Sequence, residues 1–203
     1  MSGGNTVRLP TAGRDPGSRP TAPGSLYVVQ ALVNTVNVEL GRDLLDSQER
    51  AAGWLATAGL LPAGASLSER ELAALAELRE AIRGVLAAHT AHDDDPAAGD
   101  RLTMALAQCR LAVTADAAGN VRLTSADHDP FARAIGGIAI AIAEAAATGI
   151  WPRLKSCPGD LCGWAFYDRS STSRSRWCSM QLCGARSKMR NYRNRDRLSP
   201  AEG

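Results

Sequence analysis

Apolar residues recur every three or four positions through much of the segment 26–149. This spacing is typical of amphipathic helices that bury one face. It predicts a first helix over residues 25–37. The apolar positions of that helix are Leu26, Val29, Leu32, Val33 and Val36.

Four further helices are predicted from residues that favour helix starts. Two of these starts have the spacing of a capping box, in which two side chains bond each other's backbone. The predicted starts are Asp46 with Glu49, Ser68 with Glu71, Asp100, and Asp129 with Pro130. Between the last two helices, apolar and polar residues alternate on both sides of an Ala-Gly-Asn turn in residues 111–125, which predicts a β-hairpin.

The amino-acid composition changes at two places along the chain. Residues 1–25 are rich in Gly, Pro, Ser and Thr, and we expect a disordered tail there. From Trp151 onward Cys, Arg and Ser dominate. The chain is therefore predicted to consist of a tail (1–25), a helical domain (26–150) and a small module (151–203).

Overall composition, with 45% hydrophobic and 22% charged residues, is that of a globular protein and excludes collagen, coiled coils and wholesale disorder. No uninterrupted apolar run approaches the roughly 18 residues that a membrane helix needs. The first residues also lack the apolar core of a secretory signal. We therefore expect a cytoplasmic protein that does not span a membrane.

Charge is distributed unevenly between the two halves. Residues 1–150 contain 12 basic and 17 acidic side chains, whereas residues 151–203 contain 11 basic and 4 acidic ones. A basic segment of this kind favours a polyanionic partner.

Four of the five cysteines form two C-x4-C pairs separated by fifteen residues. They are Cys157, Cys162, Cys178 and Cys183. Four thiolates complete the tetrahedral shell that Zn²⁺ prefers and leave no position for substrate, so we expect one structural zinc ion per chain. The alternatives are two disulfides, four unrelated buried thiols, or iron in a rubredoxin-like site; the reducing compartment and the wide spacing favour zinc.

The predicted fold is mainly α: a helical N-terminal domain with one small β-hairpin, followed by a small zinc-stapled β-hairpin plus helix module. The second hairpin is expected between the two cysteine pairs, with Trp164 and Phe166 on one side of its first strand. Arg174 and Arg176 would then lie on its loop and return strand.

After Cys183 the sequence predicts a helix to about Arg197 with two adjoining faces. One face is basic, and on the other we expect Ala185, Met189 and Tyr192 to be packed. The predicted polyanion contacts are Arg174, Arg176, Arg186, Lys188, Arg190, Arg193 and Arg197.

Three polar residues interrupt apolar stripes in the helical domain: Asn34, Thr35 and Arg79. They predict buried hydrogen bonds, either in a structural network or around a ligand pocket. No nucleophile has a base partner in the pattern, and we predict no enzymatic activity.

The segment CPGDLCGWAFYDRSSTSRSRWCSMQLCGARSKMRNYRNR resembles the CGNR-type zinc finger. Upstream, Val33-Asn34-Thr35 and the helices that follow are similar to the ABATE domain of stress-induced transcription regulators. The resemblance implies a bacterial DNA-binding regulator. One departure is Ala185, where the family has an asparagine.

The sequence thus favours a zinc-containing, DNA-binding transcriptional regulator whose N-terminal domain senses a small-molecule effector or a partner. The alternatives are an adaptor that docks on a protein such as RNA polymerase, and an RNA-binding protein. DNA contact requires an exposed basic face, docking requires exposed Met189 and Tyr192, and RNA requires displayed aromatic rings. The pattern does not specify an oligomeric state.

Overall fold

Six α-helices carry most of the fold in the computed structural model, which describes residues 8–13, 15–17 and 19–198, with side chains as far as residue 194. In chain order they are α1 (Leu26–Val33), α2 (Gln48–Thr57), α3 (Glu69–Ala91), α4 (Pro96–Leu106), α5 (Pro130–Ala147) and α6 (Ala185–Leu198).

The strands form antiparallel two-stranded hairpins. They are β1 (Val36–Asn37) with β2 (Arg42–Asp43), β3 (Leu111–Ala115) with β4 (Val121–Ser125), and β5 (Leu154–Ser156) with β6 (Ala165–Tyr167). A 3₁₀ turn (Trp151–Arg153) precedes β5, and a π-helical turn (Met180–Gly184) leads into α6. The mainly α fold with small hairpins agrees with the prediction.

Local side-chain bonds start the helices. At α3 the predicted capping box is present: the Ser68 hydroxyl accepts from the Glu71 amide at 3.3 Å, and the Ser68 amide donates to the Glu71 carboxylate at 2.6 Å. At α2 the predicted cap is wrong by one residue, because Ser47 accepts from the Arg50 amide. Asp46 forms an ion pair with Arg50 instead.

Two predicted helix boundaries need correction. The first helix ends at Val33, not at residue 37, because Asn34 and Thr35 leave the helix and the chain continues into β1. The helix predicted from Asp100 starts earlier, at Pro96, because Asp95 caps it and proline is favourable in a first turn.

The main hydrophobic core lies among α1, α3 and α5, where Leu32, Leu78 and Ile138 are fully buried. Leu154 of β5 and Ala165 of β6 belong to the same core. The C-terminal module is therefore packed into the core of the helical domain.

Within the described residues, α5 is the one helix with the length and mean hydropathy, 1.4, of a membrane span. Half of it is buried inside the structure. The central helix of a globular core has the same properties, and we take α5 to be such a helix.

Residues 8–13, 15–17 and 19–22, which we call the N-terminal strap, differ from the predicted disordered tail. Leu9, Ala12 and Ala22 are buried. The Leu9 amide donates to the Tyr27 hydroxyl at 2.9 Å, and the Trp54 indole donates to the Pro10 carbonyl at 2.9 Å. Composition does not reveal that the strap is ordered, because only a few small apolar residues and partners distant in sequence hold it in place.

Candidate metal centre and the basic helix

The sulfur atoms of Cys157, Cys162, Cys178 and Cys183 all lie within 4.8 Å of one another. The Sγ atoms of Cys162 and Cys178 are 3.7 Å apart, as are those of Cys178 and Cys183. A tetrahedral zinc site with Zn–S bonds of about 2.3 Å has an edge of about 3.8 Å. A disulfide would need about 2.05 Å. The four residues fit one zinc ion, and no disulfide joins them.

Two short turns bring the cysteines together. The first pair lies in the connection between β5 and β6, where the Cys162 amide donates to the Gly159 carbonyl at 2.9 Å and the Cys157 amide donates to the Trp164 carbonyl at 3.0 Å. Of the second pair, Cys178 precedes the π-helical turn and Cys183 lies within it. The Ser179 side chain caps that turn by accepting from the Leu182 amide.

The hairpin predicted between the two cysteine pairs is wrong. Strand β6 pairs with β5, with Ser156 opposite Ala165, so the hairpin encloses the first cysteine pair. Arg174 and Arg176 lie in an irregular loop with no return strand among its described residues.

A buried ion pair holds this loop. The Lys155 ammonium lies 3.1 Å from the Asp168 carboxylate, and both side chains are 0% exposed. Lys155 also donates to the carbonyl of Ser173. Burial raises the pKa of Asp168, but bonds from Ser170, Lys155 and the Ser175 amide outweigh that effect and leave the pKa well below its usual range. Nothing in the sequence pattern predicts this ion pair.

The four thiols differ in pKa, because each lies next to the others. Hydrogen bonds from Cys162 and Cys178 lower the pKa of Cys157 to about 2, and the bond to Cys157 raises the pKa of Cys162 to about 12. Burial raises the pKa of Cys183. Without a cation, one thiolate suppresses ionisation of its neighbours, so four thiolates require a metal ion to neutralise them.

The cations predicted to contact a polyanion fall into three groups. Arg174, Arg176, Lys188 and Arg193 are exposed, and no acidic side chain within the described part of the chain forms an ion pair with them. Arg186 forms an ion pair with Glu39 at 2.8 Å, and Arg190 forms one with Asp160. The side chain of Arg197 lies outside the described residues.

The expectation that one face of α6 is packed is wrong. Met189 is 58% exposed and Tyr192 is 61% exposed. Ala185 is exposed as well. Helix α6 contacts mainly the π-helical turn that precedes it, and among its described side chains Met189 and Tyr192 do not pack into a core.

The polar residues of the helical domain separate into two sites. Asn34 faces β6: its amide nitrogen donates to the Ala165 carbonyl at 2.9 Å and its oxygen accepts from the Ala165 amide at 2.7 Å. Thr35 and Arg79 lie together, with Arg79 bound to Thr35 at 3.1 Å and to Asp43 through two nitrogens.

Two protein families match the chain. The CGNR zinc finger matches residues 153–196. The ABATE family, which carries the description "Putative stress-induced transcription regulator", matches residues 27–149. No curated protein matches the chain.

Proposed function

The chain belongs to the ABATE family, described as "Putative stress-induced transcription regulator". On that premise we propose that it regulates transcription by binding DNA through its zinc finger and α6. The observation that carries the proposal is a group of four exposed cations that form no ion pair with a described acidic side chain, Arg174, Arg176, Lys188 and Arg193. They lie in a segment, 151–203, that contains 11 basic and 4 acidic residues. We assign it a regulatory role, not a catalytic one, in the bacterial cytoplasm.

Phosphate contact costs least for exposed cations that form no ion pair within the protein. Lys188 and Arg193 on α6 are such cations, as are Arg174 and Arg176 on the loop that precedes the π-helical turn. A helix beside a basic loop allows contacts with more than one stretch of a duplex backbone. Arginine adds bidentate geometry to the attraction.

Arg186 and Arg190 are available to DNA only at the expense of their ion pairs. Both pairs are about half exposed. Exposed pairs contribute about 0–1 kcal/mol, so a phosphate can replace the carboxylate of Glu39 or Asp160 at low cost. We therefore place these two arginines behind Lys188 and Arg193 in importance.

For sensing, we propose that an effector or partner acts through the contacts that join the helical domain to the finger. Asn34, Thr35 and Arg79 are hydrogen-bonded within the protein. These bonds favour the structural network over a ligand pocket formed by the three residues. Asn34 touches β6 directly, so a shift of α1 would reach the finger.

A second candidate function is docking on a protein partner, and the exposure of Met189 and Tyr192 favours it. RNA binding has less support. Trp164, Phe166 and Tyr167 are buried and cannot stack on unpaired bases, which leaves Tyr192 as the one aromatic side chain of the described finger that is more than half exposed.

The test starts with selection from a random DNA duplex library by the full-length, zinc-loaded protein, followed by affinity measurements at several salt concentrations. Lys188→Ala with Arg193→Ala should weaken binding at least about tenfold. It should also reduce the slope of log affinity against log salt by about 1.8, or 0.9 for each lost contact. The matched control is Arg122→Ala, an exposed arginine on the β3–β4 hairpin.

Two results would contradict DNA binding: no duplex enriched by selection, or a double variant that binds as well as the wild type. Docking would then be tested with purified RNA polymerase. Met189→Ala with Tyr192→Ala should abolish that interaction, while the Lys188 and Arg193 changes should leave most of it intact.

A further inference from the structure

Residues that precede the first helix contact the metal centre from outside the finger. Arg19, 159 residues from Cys178 in sequence, donates from Nε to the Cys178 carbonyl at 2.9 Å. Its terminal nitrogen donates to the Trp177 carbonyl, also at 2.9 Å. The guanidinium carbon lies 4.8 Å from the centre of the Phe166 ring. Three contacts therefore fix one side chain of the strap against the second cysteine pair.

The carbonyls of Trp177 and Cys178 belong to a loop, which has no regular backbone hydrogen bonds to fix it. Residues 168–178 contain no strand, so no ladder of backbone bonds fixes the peptide groups next to Cys178. A guanidinium presents its donors in a rigid plane and can hold two successive carbonyls at once. By fixing them, Arg19 fixes the direction in which the fully buried Cys178 presents its sulfur.

The strap is itself held on both sides of Arg19. Upstream, Gly17 lies so close to the finger that an added Cβ would overlap the carbonyl oxygen of Cys178. Downstream, Arg169 donates to the Thr21 carbonyl at 3.4 Å, and the Ala22 amide donates to the Gln30 side chain at 2.7 Å. The approach of the strap therefore depends on a glycine at residue 17.

We propose that Arg19 is a positioning residue of the zinc centre and that the N-terminal strap slows the release of zinc. A zinc ion bound by four thiolates carries a net charge of −2, which a nearby guanidinium also offsets. Release requires Cys178 to turn its sulfur away, and Arg19 opposes that movement by holding the carbonyls on either side of the Cys178 nitrogen and Cα.

The experiment measures how fast the zinc-loaded, full-length protein transfers zinc to an excess of the chelator 4-(2-pyridylazo)resorcinol. Arg19→Gln should accelerate the transfer at least about tenfold, which corresponds to about 1.4 kcal/mol. Gly17→Ala should act in the same direction because it displaces the strap. Arg19→Lys keeps the charge without the planar fork and should give an intermediate rate.

Two controls separate positioning from general stability. Arg8→Gln changes an exposed arginine at the start of the strap and should release zinc at the wild-type rate. Ile138→Val removes a methyl group from the buried core of α5 and should lower the melting temperature without changing the rate. The proposal is overturned by a wild-type rate in Arg19→Gln, or by rates that follow melting temperature alone across all the variants.

Discussion

His89 lies where the long helix α3 meets the finger. Its Nδ1 atom is 2.9 Å from the Leu154 carbonyl, and its ring meets Trp151 edge to face at 5.2 Å between centroids. Burial lowers the pKa of His89, and the charge of Lys155 lowers it further, while the bond to Leu154 opposes them. The folded protein therefore holds this imidazole neutral, with the proton on Nδ1 donated to Leu154.

We predict that His89 makes the protein less stable in mild acid. The unfolded chain has the ordinary histidine pKa of about 6.5 and binds a proton that the folded chain rejects. This contribution to stability is complete above about pH 6.5 and is lost as the pH falls towards the lower pKa of the folded state. Urea unfolding of the wild type and of His89→Gln at several pH values checks it.

The difference in unfolding free energy between the two proteins should shrink as the pH falls from about 8 to about 5.5. Because both proteins contain the same zinc site, loss of metal in acid affects them alike. Parallel curves over that range would show that His89 does not carry the effect.

Single residues also show where the sequence was informative and where it was not. The cysteines were identified because their spacing alone implies a tetrahedral site. Lys155 and Arg153, in contrast, add to the positive charge of the segment 151–203 in the sequence, yet Lys155 is buried with Asp168 and Arg153 donates to the Ser170 carbonyl. Their partners lie on a loop that no local pattern describes.

At the scale of elements, the first helix and β6 meet through one side chain. Asn34, 3% exposed, follows the last residue of α1 and bonds both the amide and the carbonyl of Ala165. The helical periodicity of residues 26–36 predicts a longer helix, because Val36 fits a helical face as well as a strand. The contact that ends the helix is 131 residues away in sequence.

We predict that Asn34→Ala lowers the free energy of unfolding by about 2 kcal/mol, because the buried Ala165 amide loses its partner, while the Ala165 carbonyl keeps only the 3.3 Å bond from Gln30. Urea unfolding of the zinc-loaded protein measures this loss. Asn191→Ala on exposed α6 is the control and should change the free energy by less than about 0.5 kcal/mol. A loss for Asn34→Ala as small as that of the control would show that the contact between α1 and β6 does not depend on this side chain.

The starts of α3 and α5 were predictable because their caps, Ser68 with Glu71 and Asp129, are local. The starts predicted for α2 and α4 were wrong by one and by four residues. The hairpin of the finger was not predictable, because the partner of β6 precedes the first cysteine. The pattern around Trp164 and Phe166 predicts β6 correctly but places its partner strand after it, whereas the partner β5 precedes it. The buried pair of Lys155 and Asp168 holds the chain that follows β6 without a return strand.

At the scale of the whole molecule, helical domain and finger share one core. Leu154, Ala165 and Tyr167 are buried with residues of α1, α3 and α5. The Thr90 hydroxyl of α3 donates to the Ser156 carbonyl at 2.7 Å. The change in composition near residue 150 therefore does not correspond to a gap in the packing.

We predict that removal of zinc destabilises the helical domain together with the finger. Structural zinc contributes on the order of 10–16 kcal/mol in small modules at neutral pH. Loss of the finger structure would expose the core residues that it shares with the helices. Chelation, or Cys162→Ser, should therefore lower the melting temperature recorded by helical circular dichroism, with metal analysis giving one zinc per chain before chelation and none after.

An unchanged melting temperature of the helices would contradict this prediction. If the helices melted at the same temperature with and without zinc, the two parts would fold independently in spite of their shared core.

The contact between Arg19 and Cys178 has a consequence for how the protein is made. Ribosomes add about 5–20 residues per second, so the 159 residues between these partners require roughly 8–30 s of synthesis. During that time Arg19 lacks its two carbonyl partners, because the finger has not yet been synthesised. The contacts of the strap with Tyr27 and Trp54 can therefore form early in synthesis, whereas its contact with the metal centre forms only after Cys178 has left the ribosome.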